Sequence, residues 1–278
     1  MKNDKKSKEN PLERLPKYVF HEHWINKNKK NVMVSIWSFP DVCPQSDRKK
    51  FGQLVKFSED IRKLHPAPFI PTLIETILKL WGESPVLDPM MGTGTTLFVS
   101  TWLGFESYGI DIEKTFVNFV KKRLSSRKLL IKTGKFQVVR GDARNIPFPD
   151  NFFGTIIFSP PYFNTVKYSE NSNNIGSIND YSSYLSEMEK VYKECLRVLR
   201  PGRKMVVIVK DLNRHGERIP LGADTIKLCQ KVGFKLFDII INKMGFLNHK
   251  LYHCVQMKQR RGHLQSFTIH EYILVFEK

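Results

Sequence analysis

Asp88-Pro89-Met90-Met91-Gly92-Thr93-Gly94-Thr95-Thr96 is the run on which the fold reading turns. Val86-Leu87 before it is short, apolar and β-prone, and residues 95 to 103 after it have helical spacing, so the run reads as a strand-to-helix turn. Glycines at 92 and 94 let such a turn close tightly and let a ligand approach the backbone at a helix N-terminus. Leu97 stands where a dinucleotide turn of the Gly-x-Gly-x-x-Gly kind would carry its third glycine, so the pattern is a different one.

Outward from this turn the chain alternates. Apolar residues at 70, 73, 74, 77, 78 and 81 predict a helix with Pro71 in its first turn. Downstream, residues 107–110, 136–139 and 155–158 are short β-prone runs, and residues 116–130 have helical spacing. An amphipathic helix is expected over 181–199, stopped by Arg200-Pro201-Gly202. A buried strand over 204–210, a helix over 223–232 and strands over 236–241 and 272–276 complete the count. Seven strands alternating with helices predict an α/β fold, a mostly parallel sheet with right-handed crossovers and helices on both faces. Residues 1–60 read as a basic N-terminal arm and irregular segment, within which 32–37 is a candidate strand cut short by Pro40, Pro44 and Gly52. Residues 61–278 form one domain, with a basic insertion near 246–268.

The formal charge is +18, from 45 Lys and Arg against 27 Asp and Glu. A basic surface attracts a polyanion through release of condensed counterions, so nucleic acid is the expected partner. The excess is clustered. Residues 121–140 hold eight basic side chains and no acid, and residues 246–270 hold Lys250, Lys258, Arg260 and Arg261, again with no acid. Those last four are the candidate nucleic-acid-binding residues. No stretch is apolar enough to span a bilayer and the N-terminus is polar, so a cytoplasmic protein away from the membrane is expected. Cys43, Cys195, Cys229 and Cys254 lie far apart with no C-x-x-C pair, so neither a disulfide framework nor a metal site is signalled.

Parallel sheets bind ligands beyond the carboxyl ends of their strands, and the polar candidates all fall there. Asp88 ends the first of these strands. Asp111 follows the glycine turn by about 20 residues, the spacing at which an acid commonly accepts from a ribose diol. Asp142, followed by Ala143, ends the third strand and can accept from an adenine amino group. Each aspartate taken singly is as well explained as a helix cap; three at consecutive strand ends favour a shared ligand. Ser159-Pro160-Pro161-Tyr162 ends the fourth strand, beside the glycine turn if the first and fourth strands are neighbours. The exocyclic amine of cytosine or adenine is a poor nucleophile because its lone pair is delocalised into the ring. Acceptors on its N–H groups, here the Ser159 hydroxyl and the Pro160 carbonyl, localise that pair, and Tyr162 can stack on the base. A lone Pro-Pro-Tyr is usually only a turn, and its place at a strand end is what changes the reading.

These residues resemble the S-adenosylmethionine-dependent amino-methyltransferases that modify N4 of cytosine or N6 of adenine. The resemblance implies a Rossmann-like class I methyltransferase fold with S-adenosylmethionine as cofactor. It implies that Asp88, Pro89, Met90, Gly92, Thr93, Gly94, Thr95 and Thr96 hold the methionine part. His65-Pro66-Ala67-Pro68-Phe69-Ile70-Pro71 is similar to the family's preceding cofactor motif, with Phe69 and Pro71 at the matching positions. Asp111 matches the ribose acid and Asp142 the adenine contact. Ser159, Pro160, Pro161 and Tyr162 match the catalytic motif, and serine in first place is the form commonest among cytosine-N4 enzymes. Met90-Met91 depart from the usual aromatic and small residues, and the cofactor motif precedes the catalytic one, unlike many cytosine-N4 DNA enzymes. No separate target-recognition domain is visible.

Cytosine N4 in DNA is therefore the first expectation, N4 of cytidine in a structured or single-stranded RNA such as ribosomal RNA the second, and adenine N6 the third. A carbon-5 cytosine enzyme needs a nucleophilic cysteine, typically after proline, and Cys43-Pro44 is in the reverse order. A non-catalytic nucleic-acid-binding Rossmann-like module would explain the charge and sheet but not both motifs. A small-molecule methyltransferase is disfavoured by the charge.

Overall fold

The computed structural model describes residues 36–39, 69–125, 134–163, 171, 173–214, 217–244 and 270–278. Its strands are β1 (Ile36–Phe39), β2 (Val86–Asp88), β3 (Ser107–Asp111), β4 (Phe136–Arg140), β5 (Phe153–Phe158), β6 (Leu199–Val209), β7 (Leu212–Arg214), β8 (Glu217–Ile219), β9 (Lys235–Met244) and β10 (His270–Glu277). The helices are α1 (Pro71–Trp81), α2 (Thr95–Trp102), α3 (Lys114–Leu124), α4 (Tyr181–Val198) and α5 (Leu221–Val232).

One sheet runs in the order β1-β9-β10-β6-β5-β2-β3-β4, and β7 and β8 form a separate hairpin. Every pairing in the large sheet is parallel except those of β10, which runs antiparallel to both β6 and β9. The seven expected strands are all present, and β1 adds an eighth at the edge beside β9. It lies within the segment assigned to the arm, at the end of the candidate strand over 32–37.

Period-two burial sorts the central strands between two layers. Ile156, Phe158, Met205, Val207 and Val209 face a core shared with Tyr184, Met188, Tyr192 and Cys195 of α4 and with Cys229 of α5. Ile157, Val206 and Ile208 face the opposite side, against Leu73, Ile74 and Ile77 of α1. Leu97 and Phe98 of α2 pack with Val117 and Val120 of α3. Helices therefore cover both faces, as parallel strands buried on both sides require.

Two boundaries differ from the sequence reading. Helix α4 ends at Val198, ahead of Arg200-Pro201-Gly202 as expected, but those three residues lie inside β6, whose start was expected at Lys204. Leu199 pairs with Phe153 and Lys204 with Thr155, so the residues between them on β6 bulge out of the ladder, with Gly202 at φ +72°. The hairpin β7–β8 carries no alternating pattern, since Asn213, Arg214, Glu217 and Arg218 interrupt its apolar residues, and it went unpredicted.

The turn after β2 explains its glycines. Gly94 caps α2 at φ +78°, and a Cβ there would lie 2.8 Å from a Val120 methyl group. Left-handed strain and the clash with α3 act together, so Gly94→Ala is expected to cost about 1–3 kcal/mol. Urea unfolding checks this, and an unchanged midpoint would contradict it.

Candidate active site

Strands β2 and β5 are direct neighbours, with Val86 opposite Thr155 and Leu87 opposite Ile156. Their parallel direction places Asp88 and Ser159 at one edge, so the two motifs meet. A single open cleft of about 910 Å³, counted to its mouth, is lined from one side by Pro89, Met90, Gly92, Thr93 and Thr95 and from the other by Ser159, Pro160, Pro161 and Tyr162. Phe69, Asp111, Asp142 and Ala143 line it as well.

The glycine turn is built on backbone donors and buried charge. Asp88 is 2% exposed, and its Oδ1 accepts from the Met90 N–H at 3.1 Å. Burial pushes its carboxyl up to about 7, against the nearby Thr96 hydroxyl and the Met90 N–H, which act to lower it. Asp111 Oδ2 accepts from the Gly92 N–H at 2.8 Å and its Oδ1 from the Glu113 N–H at 2.9 Å. Burial raises Asp111 to about 6 despite those bonds. The end of β3 thus clasps the turn that leaves β2. From below, the buried Arg123 of α3 donates through Nη1 to the Thr93 carbonyl at 3.1 Å, with its guanidinium 3.8 Å from the Phe98 ring centroid. Burial lowers Arg123 to about 9.

Asp142 sits in a polar network. Its Oδ1 accepts from the Arg144 backbone N–H and Nε–H, both at 2.9 Å, and its Oδ2 from Arg144 Nη2 at 2.5 Å. Burial alone would raise this carboxyl, but the Arg144 bonds and charge outweigh it and hold it below the usual carboxylate range. Arg144 also donates to Glu187 of α4 at 2.6 Å and to the Asn173 carbonyl at 3.0 Å. An amino group approaching Asp142 would therefore share its oxygens with Arg144.

On the far wall, Pro160 is buried while Ser159, Pro161 and Tyr162 are half-buried. Tyr184, fully buried on α4, donates its O–H to the Pro161 carbonyl at 3.0 Å and so fixes the double-proline turn.

Of the residues assigned from sequence, Asp88, Gly94 and Thr96 lie beneath the lining, and Pro71 starts α1 behind Phe69. His65, Lys250, Lys258, Arg260 and Arg261 fall outside the described residues. Of the basic run over 121–140, Arg123 is buried, so that cluster is not wholly a surface feature. The cleft also takes in Met91, Ile112, Glu113, Phe116, Asn173, Asn174 and Ile175. Ile112 and Glu113 follow Asp111 directly and were within reach of a spacing argument. Asn174 was not: its amide donates to Glu113 Oε1 at 2.9 Å, a contact 61 residues apart in sequence.

A family model described as DNA methylase matches residues 1–122 and 153–278, and one described as a methyltransferase domain matches residues 87–207. The Type II beta methyltransferase M.BslI of Bacillus sp. (strain NEB-606) is 33% identical over 124 residues, covering 40% of this chain and 13% of that protein. The Type II methyltransferase M.MjaVI of Methanocaldococcus jannaschii is 30% identical over 115 residues, covering 41% of this chain and 57% of that one. This chain thus spans less than two thirds of the length of either relative. A SAM-dependent methyltransferase of Methanosarcina mazei superposes with a TM-score of 0.52 at 16% identity, over 76% of this chain and 99% of that one, a likeness of fold. The Rossmann-like class I methyltransferase fold is present.

The raised Asp88 carboxyl carries a sign that can be tested. Folded, it holds a proton that the unfolded chain, with the ordinary value of 3.8, releases at lower pH. Stability from this group therefore falls as pH rises from about 4 to about 7. Asp88→Asn removes that penalty, so relative to wild type it gains on the order of 2–4 kcal/mol on going from pH 5 to pH 8. Denaturant unfolding at the two pH values measures the gain, and an equal difference at both would contradict the assignment.

Proposed function

The chain belongs to the N6/N4 methyltransferase family described as DNA methylases, and on that premise we propose that it methylates an exocyclic amine in DNA, with cytosine N4 in first place. The methyl donor is S-adenosylmethionine, which when bound supplies an electrophilic methyl group. The residues around the cleft suit that molecule. Gly92 brings backbone to the lining, Asp111 and Glu113 offer carboxylates to a ribose diol, and Phe69, Met90 and Phe116 offer apolar contacts.

One observation carries the reading: the glycine turn and Ser159–Tyr162 line a single cleft because β2 and β5 are paired. A base entering beside Tyr162 stacks on its ring. The Ser159 hydroxyl and the Pro160 carbonyl accept from the amine N–H groups and localise its lone pair. The Pro161 carbonyl is engaged by Tyr184 and keeps the turn rigid. No covalent link to the protein is needed, and the surplus proton on the methylated nitrogen leaves to water at the open mouth. Serine in first place supports cytosine N4 over adenine N6.

A second reading is N4 of cytidine in ribosomal RNA, where an unpaired base in a loop is accessible without being drawn out of a duplex.

Transfer of a labelled methyl group to DNA and to RNA, followed by nucleoside chromatography, tests both. Labelled N4-methylcytosine from DNA is the expected product. N6-methyladenine would move the target, label in RNA alone would favour the second reading, and no label in either would favour a binding module. Tyr162→Ala should retain cofactor affinity while kcat falls by about 100-fold or more. Ser159→Ala should lower kcat by roughly 10²–10³ with little change in KM. Wild-type turnover in either variant would remove the role assigned to that residue.

A further inference from the structure

The hairpin β7–β8 leaves β6 at the carboxyl edge of the sheet, the edge at which the cleft opens. Its apolar pair, Leu212 facing Ile219, packs into the same core cluster as Phe163 and Tyr162. Arg214 lies two residues beyond Leu212 and so on the same face of its strand. Its guanidinium sits 4.8 Å from the ring centroid of Phe163, the residue that follows Tyr162. Phe163 is 3% exposed and wedged against Tyr181 and Tyr184, with centroids 5.2 and 5.6 Å away. The ring is therefore a fixed platform that holds the guanidinium face-on, tied through Tyr184 to the Pro161 carbonyl.

Arg214 differs from most other described arginines in what neutralises it. Arg144, Arg197, Arg200 and Arg203 each pair with a carboxylate. Arg214 has no acid within ion-pair distance among the described residues, although Glu217 faces it across the hairpin register. It is half-buried and rests on an aromatic ring, a placement that leaves the edge donors of a guanidinium available. A planar fork of N–H donors beside a base-binding turn matches a phosphate diester. When a nucleotide is drawn out of its stack into a cleft, its flanking phosphates remain at the mouth.

Resting on the functional reading above, we propose that Arg214 grips a backbone phosphate of the DNA strand next to the target nucleotide, with β7–β8 as the lip along which that strand lies. The contact is sequence-independent and sets register, since a phosphate carries no base information.

Binding of a short single-stranded DNA oligonucleotide, followed by fluorescence anisotropy across a salt series, tests this. Arg214→Gln should lower the slope of log affinity against log salt by about 0.7, the loss of one phosphate contact, with S-adenosylmethionine affinity unchanged. Arg214→Lys keeps the charge and should keep the slope. Arg203→Gln removes the same charge near the start of β6, where Arg203 pairs with Glu83, and should also leave the slope alone. A wild-type slope in Arg214→Gln would overturn the proposal. An equal loss of slope in the Gln and Lys variants would overturn it too, by assigning Arg214 to packing on Phe163. Wild-type protein that binds no DNA would instead defeat the functional reading, and this inference with it.

Discussion

Two strands paired in parallel must end on the same side of their sheet, and in this chain that constraint decides where chemistry can occur. β2 ends in Asp88 and β5 ends at Ser159, and their direct pairing leaves the two loops facing each other across one cleft. Each follows from the register of a strand buried on both faces, with Leu87, Ile156 and Ile157 all fully buried. The core that fixes the sheet thus also fixes the site.

The wall of the cleft built by the glycine turn is tied down because its polar groups are spent inward. Asp111 spends one oxygen on the Gly92 N–H and the other on the Glu113 N–H. Arg123 reaches up from α3 to the Thr93 carbonyl. The same burial that organises the turn lifts both aspartates well above the ordinary carboxylate range. Burial disfavours the charged form of a carboxylate, which is the cause of both shifts. The opposite wall is held differently, by a double proline and the Tyr184 hydroxyl on the Pro161 carbonyl.

Much of this was legible in the sequence. Helix α1 follows from its apolar spacing, whereas the pairing of β2 with β5 stands in the sequence only as the condition under which the two motifs meet. What stayed hidden has a common physical cause. Arg123 reads as one cation in a basic run, and only the packing of α3 under the turn reveals it as buried. Asn174 meets Glu113, and Arg144 meets Glu187, across more than 40 residues, where no local pattern operates. The β6 bulge hides because Pro201 and Gly202 look like a terminator while the ladder absorbs them. The hairpin escapes because its charged residues mask a single cross-strand apolar pair.

The convergence of the two loops on one ligand can be read directly by ultraviolet cross-linking of labelled S-adenosylmethionine, followed by peptide mapping. Label is predicted in the peptides that contain residues 88–96 and 159–163, and competition with unlabelled cofactor should remove it from both together. Label confined to α5, β9 or other peptides remote from the carboxyl edge of β2 and β5 would contradict the account.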